Sequence, residues 1–200
     1  MSEKIEVKKA GFKMDKRLIS CIIALIGSIM LIATLFLPFA SATEKYREQL
    51  EKFPDTMYAE EIGMTNKDAV NISLFEFGKI YSSTAAAQNA QAVSITCVVM
   101  ISAFAIFALL SAIFSLLKKP IAIMIFNVLS LATFLLLKWD FNDRGVLPSS
   151  RYDCGMAQYF CYFGVAIVFV GAIIMLLIKI NQNKNLKQRS EEHTSELQSL

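Results

Sequence analysis

The stretch Ala92–Leu117, AVSITCVVMISAFAIFALLSAIFSLL, decides the fold, because none of its 26 residues is charged. Lys118-Lys119-Pro120 follows it, and Ile121–Leu137 (IAIMIFNVLSLATFLLL) is a second uncharged run directly behind. An apolar run of about 20 residues crosses the hydrocarbon core of a bilayer as an α-helix, at a rise of about 1.5 Å per residue. The short connection makes the two helices antiparallel neighbours. The pair therefore predicts a transmembrane hairpin.

Two further uncharged runs, 18–37 and 156–178, complete a pattern of four. The chain has 200 residues and is 55% hydrophobic. Its mean hydropathy is +0.49. Soluble domains are usually about 45–50% apolar, and here the excess is gathered into the four runs. The sequence predicts an all-α membrane protein: a four-transmembrane-helix bundle with a small extracytoplasmic loop region that contains a short helix.

The four runs give each segment a predicted place relative to the membrane. In chain order the segments are a cytoplasmic basic tail (1–17), a transmembrane helix (18–37), an extracytoplasmic loop (38–91), transmembrane helices at 92–117 and 121–137 joined by a cytoplasmic turn (118–120), a second extracytoplasmic loop (138–155), a transmembrane helix (156–178) and a cytoplasmic tail (179–188). Thr84–Gln91 is expected to extend the second transmembrane helix outward.

The charge distribution predicts the orientation, because short cytoplasmic loops carry an excess of Lys and Arg. Segment 1–17 has six basic residues, the turn 118–120 has two lysines, and 179–188 has three lysines and no acid. The long loop 38–91 has five basic and eight acidic residues. We therefore expect a multi-pass protein of the cell membrane with both termini in the cytoplasm.

The first run also fits a secretory signal peptide, because Ala40-Ser41-Ala42 matches the small-x-small cleavage pattern after a basic start. The apolar core of a signal peptide usually has about 7–15 residues. This run has 20, which favours an uncleaved anchor. N-terminal sequencing of the mature protein distinguishes the two interpretations, since cleavage would leave Thr43 at the start.

The long loop is expected to contain a helix at 43–53, with Ser41-x-x-Glu44 as its capping box. Tyr46, Leu50 and Phe53 fall on one face of that helix. The loop holds more aromatic side chains than a plain linker requires. We therefore expect segment 40–91 to bind a protein or cell-envelope partner.

The last residues differ in kind from the rest. Arg189–Ser199 resembles the in-frame translation of a common sequencing adapter over eleven consecutive residues. We therefore expect residues 189–200 to be a non-native tail and the natural chain to continue differently after Gln188. Without that tail the chain has no histidine, because His193 is its single one.

Three polar residues on one side of the third span, Asn127, Ser130 and Thr133, are candidates for interhelical polar contacts. The alternative is that they line a small channel or facilitator. Small residues in the first, second and fourth spans are expected to let the helices approach closely. Aromatic side chains near the outer boundary are candidate membrane-interface anchors: Phe39, Phe77, Tyr81, Trp139 and Tyr159.

Chemistry-bearing patterns are sparse, so we expect no catalytic residue, cofactor or metal. The predicted spans lack Asp, Glu, Lys, Arg and His, which disfavours a pump or coupled transporter. Asp140, Asp143 and Asp153 are interpreted as a solvated loop rather than a cation site, since Arg144 and Arg151 lie between them. The basic ends suit anionic membrane lipid better than nucleic acid.

Three motifs carry a resemblance: Leu37-Pro38-Phe39, Ile72-Ser73-Leu74-Phe75-Glu76-Phe77 and the Gly- and aromatic-rich Gly155–Gly171. With them the chain resembles a loose group of small four-span membrane proteins of Gram-positive bacteria. The resemblance implies the topology and no particular activity. Claudin-like and tetraspanin-like proteins share the span count, but their outer loops carry paired cysteines, which this chain lacks.

The function predicted from sequence is that of a non-enzymatic structural, interaction or sensing protein that acts through its extracytoplasmic loop. The alternative is the small channel or facilitator lined near Asn127.

Overall fold

The computed structural model describes the backbone of residues 16–198 and the side chains of 16–189, apart from those at 85, 87 and 89. Its elements, in chain order, are α1 (Lys16–Ala33), β1 (Pro38–Ala42), α2 (Glu44–Glu51), β2 (Met57–Ala59), a 3-10 helix (Glu60–Ile62), β3 (Met64–Thr65), α3 (Asn66–Ala69), β4 (Asn71–Ser73), α4 (Leu74–Ser82), α5 (Thr84–Asn89), α6 (Gln91–Leu116), α7 (Pro120–Asp143), β5 (Tyr152–Cys154) and α8 (Ala157–Gln198). The predicted basic tail 1–17 lies almost wholly outside the described residues.

Four helices, α1, α6, α7 and α8, are long and apolar enough to cross a membrane. The predominantly helical fold with four candidate membrane spans, predicted from sequence, is confirmed at this level. Each of the four contacts two others, with α1 between α6 and α8, and α7 between the same two. The helices therefore form a four-membered bundle. Its two ends are named here the turn end, at Lys118–Pro120, and the cap end, where the other segments lie.

Helices α1 and α8 approach each other most closely, because glycine lies at their contact. A Cβ atom on Gly27 would be 2.7 Å from the backbone nitrogen of Val168, and one on Gly171 would be 2.5 Å from that of Ala24. Real Cβ atoms do not come so near, so the two backbones touch only where side chains are absent. This is the small-residue packing that apolar helices use in a bilayer.

Several helix ends differ from their predicted positions. Helix α1 ends at Ala33 rather than at residue 37, and α7 runs on to Asp143 rather than stopping at 137. Thr84–Gln91 does not simply extend α6, because Ala90 has non-helical backbone angles (φ −151°, ψ 54°) that separate α5 from it. Helix α8 continues to Gln198, well past residue 178. Whether residues 189–200 are native stays a prediction.

The segments at the cap end, 38–90 and 144–156, form a small folded unit that we name the cap. It contains a three-stranded antiparallel sheet in the order β4-β1-β5 and a two-stranded sheet of β2 and β3. The all-α prediction omitted both sheets. Strand β1 pairs through Ser41 with Asn71 on one side and Asp153 on the other. The strands of this sheet lie far apart in sequence and depend on each other for their hydrogen bonds, so the sequence of each strand alone gives little indication of a sheet.

Local chemistry explains where the cap's elements begin. Gly155 donates its N–H to Phe39 O at 2.8 Å, and a Cβ there would overlap the carbonyl of Pro38.

The predicted capping box at Ser41 is wrong: Ser41 lies in β1, and Thr43 precedes α2 without a side-chain cap. The helix predicted at 43–53 corresponds to α2.

Capping boxes occur instead at two later helices. Thr65 and Asp68 close the start of α3, and Ser73 and Glu76 close the start of α4. In each box the Thr or Ser hydroxyl accepts a hydrogen bond from the backbone N–H of the acidic residue. The carboxylate of that residue accepts one from the backbone N–H of the Thr or Ser. The two bonds satisfy donors that a helix start leaves unpaired.

Candidate functional site

The polar residues predicted in the third span have three different environments. Asn127 is fully buried, and its Nδ2 donates to the carbonyl of Val165 at 3.1 Å, which links α7 to α8. Ser130 is also fully buried, and its Oγ has no partner among the described residues. Thr133 donates to Leu129 O of its own helix at 2.7 Å. Thr133 therefore makes no hydrogen bond to another helix with its hydroxyl.

A layer of polar groups crosses the interior of the bundle near Asn127, in the half toward the turn end. Ser28 and Ser111 join α1 to α6 by a hydroxyl–hydroxyl hydrogen bond of 3.1 Å, and both are fully buried. Phe107 and Phe114 both contact the ring of Phe126, at 6.2 and 5.2 Å, so Ser111 between them lies level with Asn127 in the antiparallel pair. All these groups are enclosed by packed side chains. The layer is suited to fixing the helices against one another.

The five predicted interface anchors divide into two groups. Trp139 and Tyr159 are 65% and 66% exposed on the outside of the bundle, as an interface side chain would be. Tyr81 is partly buried. Phe39 and Phe77 are buried in the protein, which corrects their prediction as anchors. The ring of Phe39 contacts Phe77, Phe134 and Phe141 edge-on, at 5.7–6.2 Å.

The reason for this correction is the fold of the cap. Phe39 lies in β1, so its ring is carried beneath the sheet and into the cap end of the bundle. The aromatic cluster it joins is the hydrophobic contact between cap and bundle. Edge-to-face ring pairs of this kind add about 0.5–1.5 kcal/mol beyond their buried area.

A cluster of polar side chains lies beside these rings, and we name Tyr81, Cys97, Asp140 and Arg144 the interfacial cluster. Arg144 donates to Asp140 through both Nε and Nη2. Its Nη1 donates to Tyr81 OH at 3.1 Å, and its Nη2 also lies 3.0 Å from Cys97 Sγ. The guanidinium stacks over the rings of Tyr81 and Phe141. One arginine therefore joins α4, α6 and α7.

Electrostatics hold this cluster together. Burial alone lowers the pKa of the Arg144 guanidinium, but its hydrogen bonds to Asp140 and Tyr81 outweigh burial and raise that pKa above its ordinary value. Burial raises the pKa of the Tyr81 phenol, with Arg144 partly opposing it. The arginine therefore stays charged and the phenol neutral near pH 7. The cluster is equipped to position α4 against the bundle.

Sequence reasoning missed the interfacial cluster. Asp140 and Arg144 were interpreted as part of a solvated loop, but α7 extends through Asp143 and places them one turn apart, with each side chain 23% exposed. The usable signal was the i, i+4 spacing of opposite charges directly after a predicted helix. Asp143 and Asp153 are exposed, and no group of three metal-ligating side chains occurs within the described part of the chain.

The outer part of the cap contains a group of tyrosines. Tyr152 donates to Ala69 O at 2.8 Å, its hydroxyl lies 3.5 Å from that of Tyr58, and its ring meets Tyr46 edge-on at 5.4 Å. Arg151 stacks over Tyr46, 5.5 Å from the ring centroid. Burial and the neighbouring Tyr58 raise the pKa of the Tyr152 phenol.

Large apolar side chains remain uncovered on the cap. Phe53 is 67% exposed, Met57 52% and Tyr58 37%. The apolar side chains that hold the cap together are different ones, among them Leu50, Met64 and Ile72. The exposed group, which we name the cap face, is therefore not needed for the core of the cap.

We compared the chain with models of protein families, with curated proteins and with solved structures, and found no match. The architecture is consistent with a multi-pass membrane protein, with four helices able to span a bilayer and a folded cap at one end.

Proposed function

We propose that this is a non-enzymatic protein of the cell membrane whose cap lies outside the cytoplasm and binds a protein or cell-envelope partner through the cap face. The observation that carries the proposal is the exposure of Phe53, Met57 and Tyr58 on a unit whose own core is already filled. The three residues lie within six positions of the chain, and exposed aromatic and Met side chains close together on a small folded unit are typical of interaction surfaces.

The cap face is surrounded by exposed charges of both signs. Helix α2 exposes Lys45 and Arg47 as well as Glu48 and Glu51, and the exposed Lys52 directly precedes Phe53. An apolar group with such a rim favours a partner that is apolar at its centre and charged at its edge, because complementary charge directs association.

The proposed orientation follows from charge. Short cytoplasmic loops carry an excess of Lys and Arg, and the turn end carries Lys118 and Lys119. Both termini are proposed to lie on that cytoplasmic side, and the cap on the other.

Photocrosslinking in the native host tests the proposal. A photoreactive amino acid is placed at Phe53 or Met57, and at Glu48 as a control on the polar side of α2. We expect one adduct of defined mass from the two cap-face positions and none from Glu48. Adding Tyr58→Ser is expected to lower the adduct yield severalfold.

A segment exchange provides an independent test on the same structure. Ala42 N–H donates to Val70 O at 2.8 Å, so Thr43–Ala69 can be replaced by Asn-Gly as a two-residue turn between β1 and β4. The sheet is retained and the cap face is lost. We expect any phenotype of the intact chain to disappear while the bundle still inserts. Equal adducts from Glu48, or unchanged behaviour of the exchanged chain, would contradict the proposal.

A small channel near Asn127 remains the second candidate, because Asn127 Oδ1 and Ser130 Oγ are buried without partners in the described part of the chain. Such groups are often satisfied by water. A channel requires that Asn127→Leu change the flux of ions or small solutes through reconstituted liposomes. Flux indistinguishable from that of empty liposomes would remove this candidate.

A further inference from the structure

A groove on the side of the bundle separates α4 from α6. Its inner compartment, of about 340 Å³, is lined by Gly78 and Lys79 of α4 and by Ile101 and Ala105 of α6, among others. Its outer compartment, of about 300 Å³, continues along α6 toward Gln91. Ser82 and Val98 line both compartments, so the groove is continuous.

The walls of this groove are shaped for an apolar chain. The inner compartment is mostly apolar, and the exposed Ile95 and Val99 show that this face of α6 is uncovered. Gly78 gives the groove its width: a Cβ there would meet only Ile101 Cγ2, at 3.8 Å. Ser94, in the outer compartment, has a buried Oγ with no partner among the described residues.

The position of the groove along the bundle matches the edge of the membrane. Val98 follows Cys97, which contacts the Asp140–Arg144 pair, and Trp139 is exposed beside that pair. Charged groups and tryptophan mark the interface between hydrocarbon and headgroups. From Val98 to Ala105 the groove runs about 10 Å inward along α6, at about 1.5 Å per residue.

One charge lies in the groove. Among its described lining residues only Lys79 is charged, and its Nζ lies 4.9 Å from the centroid of the Phe75 ring. Lys79 lines the inner compartment together with Val98, which lies at the level of the membrane interface. A single cation beside an apolar channel that opens to the bilayer complements an anionic amphiphile. We propose that this groove binds one acyl chain of an anionic phospholipid, with the phosphate against Lys79. The site is independent of the partner proposed for the cap face.

Tryptophan quenching by brominated lipid tests the proposal on the full chain in bilayers. Ile106, exposed on α6 one turn beyond Ser102 and outside the lining of the groove, is changed to Trp, and Trp139→Phe removes the only natural tryptophan. Brominated phosphatidylglycerol and brominated phosphatidylcholine are compared as quenchers. We expect phosphatidylglycerol to bind about fivefold more tightly than phosphatidylcholine, the ratio expected for one lysine near the surface.

Matched variants show whether the preference belongs to the groove. Lys79→Gln is expected to remove it, Lys79→Arg to keep it, and Lys138→Gln, which removes a charge at the cap end of α7, to leave it unchanged. Gly78→Leu should fill the groove and lower quenching by both lipids. Ile29→Trp, a reporter on the exposed face of α1, should show a ratio near one.

Three results would overturn the lipid site. They are a ratio near one at Ile106→Trp, a ratio that survives Lys79→Gln, or the same ratio at Ile29→Trp, which would indicate a general surface effect. Thermal unfolding of each variant verifies that the fold is retained, and Lys79→Arg provides a folded comparison if Lys79→Gln is destabilised.

Discussion

Single residues decide how closely the elements of this protein can approach. At Gly27 and Gly171 the absence of a side chain lets α1 and α8 touch through their backbones. At Arg144 the opposite holds, because one long side chain gathers a carboxylate, a phenol and a thiol from three segments. The contribution of each of these residues to stability can be tested by a single substitution.

Gly171→Ala is expected to destabilise the protein by about 1–3 kcal/mol, since its methyl group would overlap the backbone of Ala24. Gly78→Ala is the matched control. Its methyl group has room, and alanine favours helix by about 0.5–1 kcal/mol, so stability should stay equal or rise. Thermal unfolding in detergent, followed through Trp139 fluorescence, measures both. Equal midpoints for the two variants would contradict the close contact of α1 and α8.

The pair Asp140–Arg144 is expected to be coupled by about 1 kcal/mol, because each side chain is 23% exposed and solvent weakens the attraction. Asp140→Asn, Arg144→Gln and the double variant form a double-mutant cycle, read by chemical denaturation. Arg144→Lys should recover only part of the coupling, since an ammonium lacks the planar fork that reaches Asp140 and Tyr81 together. Additive single effects would show that the pair contributes nothing.

At the scale of elements, the cap depends on pairings between distant segments. Strand β1 directly follows α1 and its turn, β4 precedes α4, and β5 precedes α8. The sheet therefore ties together the points where the chain leaves and re-enters the bundle. Tyr152, at the start of β5, adds a hydrogen bond to Ala69 at the end of α3.

Titration of Tyr152 is expected above the ordinary tyrosine pKa of about 10. The neutral phenol donates to Ala69 O, and burial raises its pKa, so its contribution to stability is full below pH 10 and is lost as the pH rises further. Absorbance at 295 nm, wild type minus Tyr152→Phe, isolates its phenolate signal. A signal that rises at or below pH 10 would contradict the burial of this hydroxyl.

At the scale of the whole molecule, the bundle and the cap form a unit with two distinct ends. Removal of residues 1–42 by a signal peptidase would take away α1 and the central strand of the sheet. The uncleaved anchor stays a prediction, which N-terminal sequencing tests.

Native cysteines offer a direct test of orientation. Cys154 is exposed in the cap, whereas Cys21, Cys97 and Cys161 are buried. In intact cells a membrane-impermeant maleimide is expected to label Cys154 alone. In a Cys154→Ser background, Lys118→Cys at the turn end should react only after permeabilisation. Labelling of Lys118→Cys in intact cells would reverse the proposed orientation.

The sequence by itself determined the four apolar helices, the hairpin of α6 and α7, and the small residues at helix contacts. These features depend on local composition, because transfer of an uncharged helical run into hydrocarbon needs no tertiary partner. The short helix near residue 44 also followed from its local pattern.

Only the tertiary structure decided the sheet, the burial of Phe39 and Phe77, and the interfacial cluster. Strand β1 becomes a strand because β4 and β5, distant in sequence, supply its hydrogen bonds. Asp140 and Arg144 become neighbours of Tyr81 and Cys97 because α7 extends beyond its apolar run and α4 lies against α6. Such contacts arise from long-range packing and hydrogen bonding, which leave no periodic pattern in the residues that make them.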